Sequence, residues 1–274
     1  TAESVASTAT SAVANVNDVP TGSVTISGTA TEDQVLTAAN TLADEDVLGT
    51  ITYTWSNGDV GTTTTLGQSD VGSAMTVTAT YTDGQTTAES VTSTATAVVA
   101  NVNDDPTGAV TITGTAAEDQ VLTASNDLAD EDVLGTITYT WSNGDVGATT
   151  TLGQSDVGSA MTVTATYTDG QTTAESVTSA ATAVVANVND DPTGAVTITG
   201  TAAEDQVLTA SNDLADEDVL GTITYTWSNG DVGTTTTLGQ SDVGSAMTVT
   251  ATYTDAQGTA ESVASTATAV VANV

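Results

Sequence analysis

The chain has 274 residues, of which 35 are Asp or Glu and none is Lys, Arg, His or Cys, for a formal charge of −35. Phosphate-backbone recognition and attraction to anionic membranes need the missing cations. The usual general base, thiolate nucleophile, Schiff-base amine and zinc ligands are missing too, so no enzyme is expected.

Residues 1–16, TAESVASTATSAVANV, nearly duplicate residues 259–274. They read as the closing strand of a preceding repeat or, alternatively, as a strand donated to another molecule's sheet, which gives self-association through the N-terminal strand. No run approaches the about 20 apolar residues of a membrane span, and no signal peptide is visible. The chain therefore reads as a segment of something longer, or as a processed product.

From Asn15 the sequence repeats every 86 residues, with NVND at 15, 101 and 187. Such a period means modules that fold singly and contact mainly their neighbours in the chain. The expected domains are 17–102, 103–188 and 189–274. The second and third differ at five positions: Ala148/Thr234, Gly170/Ala256, Thr172/Gly258, Thr178/Ala264 and Ala180/Thr266.

Apolar residues alternate within a repeat, as where Ile137, Tyr139 and Trp141 interleave with Thr136, Thr138 and Thr140. Period two marks half-buried strands. In the second repeat the spacing predicts strand A near 109–113, B at 120–126, C at 136–142 and a short crossover near Val146. E follows at 148–152, F at 160–168 and G at 174–188. Turn signals separate them at Asn143-Gly144, Gly153 to Gly158 and Asp169-Gly170. The fold class is all-β, with three tandem immunoglobulin-like β-sandwich domains in an extended rod and Trp55, Trp141 and Trp227 as core residues.

The acids fall between these strands, while the strand faces carry Thr and Ser. Loops A–B and E–F should share one pole with the outgoing linker, and loops B–C and F–G the other with the incoming linker. The first junction then gathers Glu32, Asp33 and Asp70, the linker's Asn101, Asn103, Asp104 and Asp105, and Asp130, Glu131, Asp132 and Asp169 of the second repeat. The next gathers Glu118, Asp119 and Asp156, then Asn187, Asn189, Asp190 and Asp191, then Asp216, Glu217, Asp218 and Asp255. Entry to the first repeat offers Asn15, Asn17, Asp18, Asp44, Asp46 and Asp83.

Two carboxylates about 4 Å apart repel by about 4 kcal/mol at an effective dielectric of 20, and no side-chain cation is present to offset that. Ca²⁺, which takes six to eight oxygens in forgiving geometry, is the expected cofactor. The alternative is that acids crowd loops because loops are solvated, which is accepted for Asp127, Asp145 and Glu175. Asp70, Asp156 and Asp242 in QSDVGS serve equally well to brace the E–F turn. Pro20, Pro106 and Pro192, each opening a repeat, favour extended linkers.

The motifs N-x-N-D-x-P-T-G, A-x-E-D-Q-x-L, L-A-D-x-D-x-L-G, S-D-V-G-S-A-M-T-V-T-A-T-Y-T-D and T-A-E-S-V together resemble the tandem immunoglobulin-like, cadherin-like extender repeats of giant RTX-type bacterial surface adhesins exported by type I secretion. The resemblance covers all three repeats. It implies a structural extender at the bacterial cell surface, outside the cell, stiffened by calcium and projecting a distal adhesive module for attachment or biofilm growth. The distal ligand is then carried by other domains, and the partners of these repeats are one another, with no nucleic acid and no membrane insertion. The alternatives are a subunit of an extracellular filament assembled by β-strand addition, or a carbohydrate- or cell-binding module.

Overall fold

A computed structural model describes all of residues 1–274. The chain divides into two compact units, the first made of Thr1–Thr107, Ala129–Thr136 and Thr168–Glu175, the second of Gly108–Leu128, Ile137–Tyr167 and Ser176–Val274.

In the first unit, β1 (Val24–Ser27), β2 (Val35–Asn40) and β4 (Thr63–Thr65) form one antiparallel sheet in the order β1-β2-β4. A second sheet, ordered β3-β5-β6, joins β3 (Thr52–Trp55), β5 (Val77–Thr82) and β6 (Ala88–Thr92). Alternation places Val77, Ala79 and Tyr81 inward and leaves Thr80 and Thr82 exposed. The inward sets of both sheets meet in one core of Leu36, Trp55, Leu66, Met75, Val77 and Val99, closed by the Trp55 indole donating to the Gly61 carbonyl at 3.0 Å. Burying a Trp and several aliphatic side chains, at about 1.5–3 kcal/mol for each fully buried aliphatic, is what a domain without disulfides relies on. Residues 1–19 are exposed and carry no regular secondary structure.

The second unit repeats this plan. In the second repeat β7 (Val110–Thr113), β8 (Val121–Asn126) and β10 (Thr149–Thr151) form one sheet, and β9 (Thr138–Trp141), β11 (Val163–Thr168) and β12 (Ala174–Thr178) another. The third repeat supplies β13 (Val196–Thr199), β14 (Val207–Asn212) and β16 (Thr235–Thr237), then β15 (Thr224–Trp227), β17 (Val249–Thr254) and β18 (Ala260–Ala264). Trp141 and Trp227 are both buried, and Trp227 packs with Leu208, Leu238, Met247 and Val249. The chain is thus all-β, built from pairs of three-stranded antiparallel sheets.

Sequence and structure part company at the closing strand. A continuous strand over 174–188 was expected, but it breaks after Thr178. The reason is side-chain competition for backbone partners. The Ser179 hydroxyl accepts the Val163 amide at 3.1 Å, and the Thr182 hydroxyl accepts the Met161 amide at 3.0 Å, while the Ser179 and Thr182 amides still donate to the Val163 and Met161 carbonyls at 2.9 Å, so side chains replace one side of the ladder. The chain then leaves that sheet: Ala186 donates to Ala116 at 3.0 Å and accepts from Glu118 at 2.9 Å, a parallel bridge on the loop between β7 and β8. Strand F likewise starts at Val163, with Ala160 held by one bridge to Val184. In the first unit the same excursion, through Ala100 and the Ala30 and Glu32 backbones, fixes the linker beside Glu32.

Candidate metal centre

The site in the first unit is assembled from the backbone outward. Glu32 sits in the loop between β1 and β2 and is 2 % exposed. Its amide is tied to the Ala100 carbonyl at 2.9 Å, and its Oε2 accepts the Val102 amide at 3.1 Å. Two residues on, the Asp104 amide donates to Asp132 Oδ2 at 3.0 Å. Asp132 is fully buried, with its own amide on Asp130 Oδ1 at 2.9 Å and its Oδ1 accepting Gln68 Nε2 at 2.8 Å. Linker, A–B loop, E–F turn and the second repeat's B–C loop therefore converge within this unit.

Oxygens of Glu32, Asp104 and Asp132 all lie within 4.8 Å of one another. At that spacing each ionised pair repels by about 3.5 kcal/mol at an effective dielectric of 20. Burial raises the Glu32 pKa, and the carboxylates of Asp104, Asp132 and Asp33 add to the effect against the Val102 hydrogen bond. Asp104 is raised by loss of solvent and then by Asp132, Asp33, Asp130 and Asp105. Around this charge lie oxygens with no partner: Gln68 Oε1, whose amide nitrogen already holds Asp132, and Asn101 Oδ1 in the linker, both shielded from solvent. A buried acceptor without a donor costs about 1–3 kcal/mol. A carboxylate triad beside orphaned amide oxygens fits a hard divalent cation, which supplies positive charge and accepts oxygen lone pairs together.

The second unit holds a counterpart. Glu118, 1 % exposed, accepts the Val188 amide at 3.2 Å, Asp190 donates its amide to Asp218 Oδ2 at 3.1 Å, and Gln154 Nε2 donates to Asp218 Oδ1 at 2.9 Å. The carboxylate oxygens that meet within 4.8 Å are those of Glu118, Asp190 and the exposed Glu217. Burial, followed by neighbouring carboxylates, raises the pKa of both Glu118 and Asp190, Asp119 being the chief carboxylate at Asp190. Gln154 Oε1 and Asn187 Oδ1 are again buried without partners.

The other residues singled out in the sequence fall around these triads. Asp105, Asp130 and Glu131 line a cleft of about 290 Å³ with Asp104, and Asp191, Asp216 and Glu217 line one of about 340 Å³ with Asp190. Asp33 and Asp119 follow the buried glutamates with left-handed backbones, each at φ 61°. Asp169 holds the Gln171 and Thr173 amides with Oδ1 while Oδ2 is buried without a partner, and Asp83 and Asp255 leave Oδ2 orphaned likewise. Asn103 and Asn189 donate to Glu175 and Glu261 at 2.9 and 3.0 Å, so Glu175, read from the sequence as merely solvated, touches the linker. Asp70 and Asp156 stay with their own turns, each Oδ2 accepting an amide, from Gly67 or Gly153, at 3.1 Å.

At the entry to the first repeat, Asn17 donates to Glu89 and the Asp18 amide to Asp46 Oδ2, both at 2.9 Å. Asp44 accepts from the Tyr81 hydroxyl, whose pKa is raised by burial and then by Asp44. Asn15 is exposed. Sequence reasoning missed Gln68 and Gln154. Both stand in G-Q-S-D, where the aspartate drew attention and the neighbouring glutamine reaches the site.

No family model matches this chain, and no curated protein matches it. Among solved structures it is similar to a tetra-tandem repeat in the extending region of a large adhesion protein, 23 % identical, covering 91 % of this chain and 75 % of that one with a TM-score of 0.32. Mouse cadherin-23 EC22-24 is 15 % identical over 87 % of this chain and 90 % of that one, with a TM-score of 0.32. A Ca²⁺-stabilised adhesin that helps an Antarctic bacterium reach out and bind ice is 20 % identical over 93 % and 75 %, with a TM-score of 0.27. No helix of this chain is long and apolar enough to cross a membrane.

Proposed function

We propose that this chain is a structural extender segment of a bacterial cell-surface adhesin, in which Ca²⁺ bound by linker and loop carboxylates stiffens successive repeats that project a distal adhesive module outside the cell. One observation carries the reading. Glu32 from one repeat, Asp104 from the linker and Asp132 from the next bring their oxygens within 4.8 Å in a chain that has no Lys, Arg or His to neutralise them. Glu32, Asp104, Asp132 and the Gln68 and Asn101 side-chain oxygens are the groups that would hold the ion, with Glu118, Asp190, Glu217, Gln154 and Asn187 as their counterparts. Calcium is favoured over magnesium because Mg²⁺ demands near-octahedral geometry and keeps several waters, whereas this set offers many protein oxygens in loops.

Without the ion, repulsion within each triad loosens the linkers; with it, the same charge becomes attraction through the metal. No catalytic role belongs to this reading. Small-angle scattering with calcium and with chelator, alongside metal analysis of the dialysed protein, tests it. Bound calcium and a maximum dimension that changes on chelation are expected, and an unchanged dimension overturns the reading.

A further inference from the structure

The two triads differ in the turn that backs them. In the first unit the Gly170 amide donates to two carbonyls of the B–C loop, Asp132 at 2.8 Å and Val133 at 3.1 Å. Val133 has φ 72°, a left-handed conformation that is a real outlier for a β-branched side chain. The forked amide therefore clamps a strained loop next to a buried carboxylate. A Cβ on Gly170 would fall 2.7 Å from the Asp132 carbonyl oxygen and 3.1 Å from Val133 Cβ, so a side chain there is admitted only if the turn shifts away from the loop.

In the second unit that position is Ala256. Its amide keeps one bond, to the Asp218 carbonyl at 3.0 Å, and Val219, at φ 71°, loses its share of the clamp. The turn changes with it. Asp169 Oδ1 takes both the Gln171 amide at 2.9 Å and the Thr173 amide at 2.7 Å, whereas Asp255 Oδ1 takes the Thr259 amide at 2.8 Å. Thr172 holds φ 77° where Gly258 holds φ 96°. Asp132 and Asp218 are equally buried and hold the same linker amide and glutamine, but beside the tighter turn Asp132 itself meets the other two carboxylates within 4.8 Å, whereas beside the looser one the exposed Glu217 does, a longer side chain with more rotamer freedom to lose.

We propose that residues 170 and 172, and their counterparts 256 and 258, are positioning residues that grade the two ion sites, so that the site of Glu118, Asp190 and Glu217 binds calcium more weakly and releases it first. The inference rests on the calcium reading above. One hydrogen bond of ordinary net strength corresponds to about fivefold in a binding constant, and that is the expected gap.

The test isolates each site in the full chain. Glu118→Gln leaves the first, Glu32→Gln leaves the second, and the double variant is the blank. Calcium titration against a fluorescent chelator gives affinity, and stopped-flow chelation gives release rate. The chain with only its first site should bind about fivefold tighter and release more slowly. Ala256→Gly with Gly258→Thr in the Glu32→Gln chain should close the gap by tightening the second site, and Gly170→Ala with Thr172→Gly in the Glu118→Gln chain should close it by weakening the first. Both exchanges install turns that this chain already folds. Equal affinities and rates, or exchanges without effect, overturn the grading while calcium binding stands. Absence of calcium from both single-site chains overturns the calcium reading itself.

Discussion

Two entries to a repeat lie within the first unit, and they differ in what reaches them. At the first, the Asp18 amide donates to Asp46 Oδ2 at 2.9 Å; at the second, the Asp104 amide makes the same bond to Asp132 Oδ2 at 3.0 Å. Each repeat therefore builds its own linker-to-loop hook. The second entry also receives the Gln68 amide and the Glu32 carboxylate from the repeat before it, and there the three carboxylates meet. The hook is local and repeated; the carboxylate triad needs two repeats.

The sharpest way to break this comparison is to remove the hook's carboxylate at each entry. Asp132→Asn should abolish the calcium-dependent rise in thermal stability of the junction, whereas Asp46→Asn should leave most of it. An ion at about 100 times its Kd stabilises the folded form by about 2.7 kcal/mol, and that is the amount at stake, read by calorimetry with calcium and with chelator. Equal losses in the two variants would show that neighbouring repeats contribute nothing.

Gln68→Ala separates the borrowed half from the built one. Its side chain orients Asp132 and carries an orphaned oxygen, and loss of such a supporting partner typically costs 10–100-fold in metal affinity. Asp70→Asn, two residues on, should disturb the E–F turn and leave affinity within a few-fold. Calcium titration of the two variants distinguishes them.

That contrast also marks what the sequence could tell. Strands A to F were legible because alternation of apolar residues with threonine is a direct record of which face is buried. Strand G was legible only over its first part, Ala174–Thr178, since Ser179 and Thr182 read as ordinary strand residues until their hydroxyls take the Val163 and Met161 amides. Glu32, Asp104 and Asp132 were legible as oxygen donors in loops that recur with the repeat. Gln68 was hidden because no local pattern says which way a loop amide turns. Asp132 and Asp218 keep the same place and the same hydrogen bonds, yet the carboxylate that completes the second triad is the neighbouring Glu217, which no repeat pattern distinguishes from Glu131.

Acid should act oppositely on the free and loaded forms. In the metal-free chain the folded-state pKa values of Glu32 and Asp104 are raised, so the native state binds these protons more tightly than the unfolded state, with its ordinary values of 4.5 and 3.8. Their contribution to stability is lost as pH rises through the raised values and is fully present below the ordinary ones. Metal-free protein should therefore gain stability through these two groups as pH falls through the raised values toward 4.5 for Glu32 and 3.8 for Asp104, and calcium-loaded protein should lose it as protons displace the ion. Urea midpoints across that range, with and without calcium, check the crossing. A parallel decline in both forms would mean that the triad's carboxylates are not crowded.

The smallest effect concerns the turn at the first entry. Thr86 has φ 73°, in a region where a side chain costs about 1–2 kcal/mol, while the third repeat puts Gly258 at φ 96° in the same place. Thr86→Gly removes that strain and returns about 0.4–1 kcal/mol of it through the greater freedom of glycine in the unfolded chain. The net gain should be about 0.5–1 kcal/mol, read as a shift in urea midpoint. Because Asp46 lacks the borrowed glutamate and glutamine, calcium affinity should not change with it. A loss of stability would mean that the Thr86 side chain is worth more than its backbone strain, and that the turn is held by contacts beyond the hydrogen bonds of Asp83.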